Sequence, residues 1–562
     1  MKIFEWRQNW WLLLLIGVAA FLSFLPTFKN GFVDWDDTGM FLENFHYRGL
    51  GWENIRWMFT TNHYAHYHPI TWLTLGLDYV LWGMNPVGYH FQNLLWHTAN
   101  GVLFFVLLQM LFRQSPSLAA ISNSPAFRFG CLAGALFFAI HPLRVESVAW
   151  ATERRDVVSG FFYLLTLIAY LRAHELPRRR TFWLGVAFVS FVLSFLSKAW
   201  GITLPLVLLI LDVYPLRRIQ FGIPDRVAWR RVLLEKIPFV LIAAVLAVIA
   251  LRGQQEWGIK AENFGIAKRL MNAAYGLVFY PWKTFVPFGL SPIYPLDPEF
   301  NPWETKYILC LLAGITTTAV LFLFRKRVPW LLAGWISYGI IVSPVLGLAQ
   351  SGEQIAADRY TYLSGLPLAA LVGLGAVFLF YRRPTQLVAL GLLASGVFLG
   401  LGFLTFQQTK VWRDDASLWN QALKVDATNF VAYNGRGRLR MDQGDWDGAL
   451  EDFNAAIKYN PRRVAPYTNR GMIYHQLGDF DRALADYNAS LALKPQAETL
   501  NNRGALRETR GDISGALEDY GLAIQANPRF VLSYFNRGRL RQRQGDGAGA
   551  LEDFSAAIQR QP

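Results

Sequence analysis

The chain has 562 residues, 53% apolar and only 17% charged, against roughly 25% charged in a soluble domain. It is too apolar and too long for one soluble core. Its net charge of +14 does not point to nucleic acid, because much of it sits in short basic clusters between apolar runs. These are Arg178-Arg179-Arg180, Arg217-Arg218, Arg230-Arg231, Arg325-Lys326-Arg327 and Arg382-Arg383. Such clusters mark cytoplasmic loops of membrane proteins. Cys131 and Cys310 both lie in apolar segments, too few for a disulfide framework, and read as packing residues.

Lys2 and Arg7 precede an apolar stretch from Trp10 to Leu25 with no small-x-small cleavage site, so a retained first helix is expected. Apolar stretches then recur near 10–28, 87–112, 129–143, 157–173, 182–198, 200–214, 237–252, 306–324, 329–349, 360–381 and 386–406. That makes about eleven candidate spans, for which a bilayer needs about 20 residues each. With the N-terminus cytoplasmic, the basic clusters all fall inside, provided the segment 270–290 lies at the interface. Its Pro281, Lys283 and Pro287 suit that position. The C-terminal tail then lies outside. That means the periplasm if the membrane is a bacterial inner membrane, or the lumen if it is endoplasmic reticulum.

The first external loop, 29–86, opens with Asp34-Trp35-Asp36-Asp37. Carboxylates crowded at a membrane edge repel one another and are partly desolvated. Both effects raise pKa and suit a group that takes a proton. The plainer reading makes Asp37 a helix cap through Met40. His63, His66 and His68, interleaved with Tyr64 and Tyr67, are candidates for a metal, or for contacts to a sugar or headgroup. The apolar stretch 70–82 is too short to span and is expected at the interface.

The loop 141–156 is crowded with charge, including Arg144, Glu146, Glu153, Arg154, Arg155 and Asp156. Charge at a membrane edge must face a cavity or pair internally. Lys198 stands between two apolar spans, where snorkelling to the interface is the plainer reading. The segment 351–362 carries Asp358-Arg359, either a salt bridge or, through the arginine fork, a phosphate contact. The glycine-rich phosphate loop, the His-Glu-x-x-His helix and the nucleophile elbow are not found, so a nucleotide-driven transporter is unsupported.

From Val431 onward the chain repeats itself every 34 residues or so. Asn-Gly-Arg-Gly at Asn434 recurs as Asn-Arg-Gly at Asn469, Asn502 and Asn536, Gly-Asp at Gly444, Gly478, Gly511 and Gly545, and Pro at Pro461, Pro495, Pro528 and Pro562. This is the tetratricopeptide pattern of two antiparallel helices per unit, four units in all, with 417–424 a preceding half-unit. The first helices line a groove that could hold an extended peptide, with Asn434, Arg438, Thr468, His475, Asn501 and Arg539 expected along it. The repeats reach Pro562 without a polar capping helix, which favours either docking onto another surface or a sequence cut short. The fold class is therefore all-α: a polytopic membrane domain, 1–410, followed by an α-solenoid, 411–562.

Several segments together resemble a known family. They are Phe32-Val33-Asp34-Trp35-Asp36-Asp37, His141-Pro142 running through Glu146-Ser147-Val148-Ala149-Trp150 to Asp156, and Ser197-Lys198 before Leu204-Pro205. Leu211-Asp212-Val213-Tyr214-Pro215-Leu216 and Ala357-Asp358-Arg359-Tyr360-Thr361-Tyr362 follow in order. With a repeat tail behind them, they resemble the transmembrane and tetratricopeptide-repeat-containing O-mannosyltransferases, in particular bacterial members. The resemblance implies a C-type glycosyltransferase fold, a polyprenyl-phosphate sugar donor (mannose, by the family name) and an active site on the external face. Eukaryotic members carry Lys-Glu where Lys198-Ala199 stand here.

On this reading a sugar passes with inversion to a protein Ser or Thr hydroxyl. Asp36 is the base and Asp37 orients it. Arg359, with Arg154 or Arg155, meets the leaving phosphate. Glu153 and Asp156 position those arginines or the sugar hydroxyls, and Asp358, Lys198 and His68 complete the donor site. Asn434, Arg438, Asn501 and Arg539 would hold the acceptor. No cofactor is specified, and a divalent metal stays open. The rival readings are a membrane-anchored repeat scaffold without catalysis and a flippase for lipid-linked sugars.

Overall fold

The computed structural model describes residues 6–219, 225–256, 265–297, 299–348 and 354–560. Lys2, the Ser351-Gly352-Glu353 stretch and Pro562, used in the sequence reading, lie outside the described residues. The chain forms two compact units, Met1–Leu418 and Trp419–Pro562.

Among the described residues of the first unit seven helices are long and apolar enough to cross a bilayer: Pro86–Arg113, Ala151–Glu175, Pro177–Ser197, Arg226–Arg252, Thr305–Leu323, Asp358–Arg382 and Leu387–Trp412. Asn9–Ser23, Ala199–Val213 and Pro329–Val345 are shorter apolar helices. One further pair, Pro125–Ala139 and Pro142–Ala149, passes the same test but is bent by 50°. The bend has a local cause. His141 precedes a proline, which bars the helical conformation, and it sits extended at φ −83°, ψ 136°. Its Nδ1 accepts from Leu143 N (3.2 Å), capping the short turn that follows. The helices Pro69–Trp82 and Ile266–Phe285 are not among the seven.

Small residues and buried polar bonds hold these helices together, as apolar burial cannot between lipid-facing segments. A Cβ at Gly134 would come within 2.9 Å of Ala369 O, and one at Gly130 within 2.6 Å of Val377 N. The helices Pro125–Ala139 and Thr361–Arg382 therefore touch backbone to backbone. His97 donates from Nε2 to Ala139 O (2.8 Å) and accepts at Nδ1 from the Tyr362 hydroxyl (2.9 Å). Asn100 Nδ2 donates to the same hydroxyl (2.8 Å). One departure from an all-helical chain is a two-stranded antiparallel ribbon of Tyr294–Pro295 and Gln354–Ala356.

The second unit is built from helix pairs. Gly444, Gly478, Gly511 and Gly545 hold φ near +80° at the turns, a conformation glycine adopts without strain. The next residue, Asp445, Asp479, Asp512 or Asp546, accepts a backbone N–H of the following helix. Each pair is then clamped by a forked Arg–Asp contact: Arg436–Asp452, Arg470–Asp486, Arg503–Asp519 and Arg537–Asp553. Arg470 and Arg503 also reach back to Asn454 and Asn488, and Arg436 reaches Asn420 in the same way. The helix Asp415–Val425 thus supplies to the first repeat what each second helix supplies to the next.

The Asp519 side chain is fully buried, whereas Asp481, the partner of Arg510, is 89% exposed. Arg503→Ala removes the forked partner of a buried carboxylate that keeps only Arg507 (3.1 Å), and is expected to cost about 1.5–3 kcal/mol, against about 0–1 kcal/mol for Arg510→Ala. Chemical unfolding of the repeats in the intact chain measures both.

Candidate functional site

Four interruptions of the helical pattern, around 24–37, 140–154, 198–203 and 354–360, meet at one end of the membrane unit. The first is the loop after Asn9–Ser23. Asn30 Nδ2 donates to Thr409 O (3.1 Å), Gly31 N to Arg413 O (2.9 Å), and Asp34 N to Asp415 Oδ1 (2.7 Å). These bonds seat the loop against the end of the last apolar helix. Trp150 packs the junction, stacked on Trp412 at 5.2 Å and tilted against Trp35 at 5.7 Å.

Asp37 is buried here and accepts from Val33 N (3.0 Å), Thr152 N (3.2 Å) and the Thr152 hydroxyl. Burial pushes its pKa up to about 7, against the pull of those donors. Its side chain makes no bond to the helix Thr38–Leu42, so the cap reading is corrected. Asp37 ties the first loop to the second.

The other three interruptions bring a network of ion pairs. Glu153 accepts from Arg155 Nη2 (2.7 Å) and Lys198 Nζ (2.7 Å), with Arg359 Nε at 3.4 Å. Lys198 also reaches Asp156 Oδ1 (2.8 Å), which accepts from Trp200 Nε1 (2.9 Å) as well. Arg359 pairs with Glu146 through its side chain, and its backbone N–H donates to Glu146 Oε2 (2.7 Å). Its guanidinium lies over the rings of Trp150 and Tyr360, at 5.6 and 5.0 Å. Lys198 does not snorkel outward. The chain is extended there, between the two helices, and its amine turns onto two buried carboxylates.

Three cations thus meet three carboxylates, and Asp36 is a fourth acid beside them. It is partly exposed. Among the described residues its carboxylate takes no hydrogen bond or ion pair. Desolvation raises its pKa, Arg155 and Arg359 pull it down, and Glu153 pushes it up, with a net rise. His66 faces the same charges from a tight turn in which Tyr64 and Ala65 hold positive φ, 49° and 63°. Part of its ring is exposed and part is covered by neighbouring residues. Desolvation, then Arg155 and Lys198, therefore disfavours its protonated form.

Several expected residues lie elsewhere. Arg154 is fully buried and turned away, bound to Asp78 (2.5 Å), Asn93 and Tyr89 O (2.8 Å), so it is a structural partner and not a phosphate ligand. Asp358 is buried and accepts from the Tyr294 hydroxyl (3.0 Å), facing the strand ribbon. His68 is buried and stacks on Trp72 at 5.1 Å, behind His66. Among the described residues no group of three His, Cys, Asp or Glu side chains is placed to hold a metal.

In the repeats, Asn434 accepts from Asn469 (3.1 Å) and Asn501 from Asn536 (2.9 Å), bonds that cross from one repeat to the next. Arg438 is exposed, Arg539 pairs with Glu508 (3.2 Å), and Thr468 is buried on Ser490 and Thr499 instead of lining a groove. Sequence reasoning left Glu146, Thr152, Trp200 and Asp78 out of the site. Asp78 carried a usable signal, a lone acid inside the apolar stretch 70–82.

Comparison with known proteins adds three findings. The tetratricopeptide repeat family model matches residues 434–498 and 502–562. The human protein O-mannosyl-transferase TMTC4 is 22% identical over 493 residues, covering 78% of this chain and 65% of that protein. Human protein O-mannosyl-transferase TMTC3 is 22% identical over 417 residues, covering 69% of this chain and 44% of that protein. The chain thus spans less than two thirds of the length of these relatives. Among solved structures, that of MamA protein is 21% identical over 25% of this chain and 79% of that one, with a TM-score of 0.23.

Two substitutions separate support from function at this site. Arg154→Ala leaves Asp78 buried without its partner and is expected to lower stability by about 3–5 kcal/mol. Asp36→Asn removes a carboxylate whose ionised form the fold disfavours. Its raised pKa means that stability falls as pH rises through that value. Asp36→Asn is therefore expected to raise the unfolding midpoint in neutral detergent solution and to leave it unchanged in acid. Thermal unfolding at both pH values checks the pair.

Proposed function

We propose that this chain, a member by its homologues and repeats of the TMTC-like O-mannosyltransferase family, is a membrane glycosyltransferase that glycosylates protein hydroxyls. The observation that carries this reading is the unpaired Asp36 carboxylate beside Arg155 and Arg359.

The donor is a sugar, mannose by the relatives' name, joined to a polyprenyl phosphate. An acceptor Ser or Thr hydroxyl gives its proton to Asp36 as its oxygen attacks the anomeric carbon. The bond from that carbon to the phosphate oxygen breaks, and the electron pair leaves with the lipid phosphate. Attack from the face opposite the phosphate inverts the anomeric centre. A base with a pKa raised toward the working pH takes the proton more readily.

Arg155 binds Glu153 through Nε and Nη2, and Arg359 uses Nε and Nη1, so each keeps one guanidinium nitrogen for the phosphate. Lys198 spends two of its three donors. Glu146, Glu153 and Asp156 hold these cations in place before charge develops, so little reorganisation remains at the moment of reaction. Asp37 is a positioning residue that fixes the loop carrying Asp36. The membrane unit, 1–410, performs the reaction. The repeats, 411–562, lie on the external side and hold the acceptor chain near Asn434, Arg438, Asn501 and Arg539.

A flippase would use the same cations but has no need of a base, and a scaffold needs neither. Asp36→Asn is expected to cut sugar transfer by about 10²–10⁴-fold while the protein stays folded. In the native chain, transfer should rise with pH through the raised Asp36 pKa, placing the acid limb above the ordinary carboxylate range. Transfer from a polyprenyl-phosphate sugar to an acceptor peptide in proteoliposomes measures both. Undiminished transfer by Asp36→Asn removes Asp36 from the role.

A further inference from the structure

The helices that frame the site have their other ends at a second polar cluster. There Asp212 accepts from Arg218 (2.7 Å), Lys236 (2.6 Å) and the Tyr170 hydroxyl (2.8 Å). Glu235 accepts from Arg218 Nη2 (2.8 Å) and from Arg180. Beside this cluster opens a cavity of 360 Å³ whose polar lining is His174, Arg180, Arg218 and Arg231.

Every polar residue lining that cavity is basic, and the two carboxylates stand behind the lining. Four cations, Arg180, Arg218, Arg231 and Lys236, face two acids, Asp212 and Glu235, so a positive excess remains. Of the nearby acids, Glu175 is engaged by Arg172 (3.0 Å), and Asp225 caps its helix through Ala228 N (2.9 Å). Arg231 is exposed and has no ion pair among the described residues. The Arg180 Nε–H is buried and has no hydrogen-bond partner among them. The cavity therefore offers the Arg231 guanidinium and a positive charge that the protein leaves unused.

The surroundings say what kind of anion fits. On the same two helices, Phe182, Leu233, Leu234 and Ile237 are apolar and exposed, at 64, 49, 53 and 46%. Such residues meet lipid chains, so the cavity lies at the boundary between acyl chains and headgroups. Basic clusters at this end mark the cytoplasmic side. A basic pocket between helices at that depth matches an anionic phospholipid headgroup.

We propose that this cavity binds the phosphate diester of an anionic phospholipid in the leaflet opposite the candidate active site. The proposal stands independently of the transferase reading. The purified full chain is incubated with phosphatidylglycerol, with phosphatidylcholine, or with inorganic phosphate as a competitor, and bound lipid is counted by native mass spectrometry. Phosphatidylglycerol is expected to be retained over phosphatidylcholine, and Arg231→Gln to weaken it about tenfold, the loss of one charge-assisted contact. Arg231→Lys, which keeps the charge, should retain most of the binding. Because Arg231 supports no other residue, its variants are expected to unfold at the native temperature. Equal retention of both lipids, or full retention by Arg231→Gln, overturns the proposal. So does binding of inorganic phosphate that excludes phosphatidylglycerol, which would assign the pocket to a soluble phosphate.

Discussion

Moving an ion from water into an apolar surround costs several kcal/mol unless a partner and hydrogen bonds replace the lost solvent. Arg155, Lys198 and Arg359 meet that constraint at the membrane edge by sharing Glu146, Glu153 and Asp156. The pairing does more than neutralise. Each cation comes from a different break in the helical pattern, so the network fixes the breaks relative to one another. It also leaves Asp36 as the surplus acid, with no cation of its own and a raised affinity for protons. A structural constraint on the other six groups thereby gives the seventh the character of a base.

Buried arginines serve a different end in the repeats. There the forked Arg–Asp contact recurs at a fixed separation in every unit, and Arg436, Arg470 and Arg503 also reach to an asparagine of the helix before their pair. Repetition of one contact makes a regular stack whose stability adds from unit to unit. The membrane unit uses the same chemistry without repetition, and keeps some donors unspent.

Long periodic signals were readable in the chain itself. The apolar stretches and the recurring Gly-Asp and Pro positions fall on observed helices and turns because each signal is repeated along the sequence. Side-chain direction was much less readable. Arg154 and Arg155 are neighbours, but successive residues on a helix point about 100° apart. One faces Asp78 and the other Glu153, which no local pattern distinguishes. Lys198 read as a snorkelling residue because its acidic partners lie more than forty positions away. The strand ribbon escaped notice because segments of two and three residues carry no usable alternation.

The contact of Gly130 and Gly134 with the helix Thr361–Arg382 lies well inside the apolar layer, yet it has a consequence at the surface. One of these two helices continues, past its bend, into the segment bearing Glu146, and the other begins just after Arg359. Their crossing distance therefore acts as a gauge for the span between the two halves of the ion network. A side chain added at the crossing would wedge the helices apart, and the Glu146–Arg359 pair would open first. Spacing within the ion network is thus set by backbone packed between two helices, well away from the charges themselves.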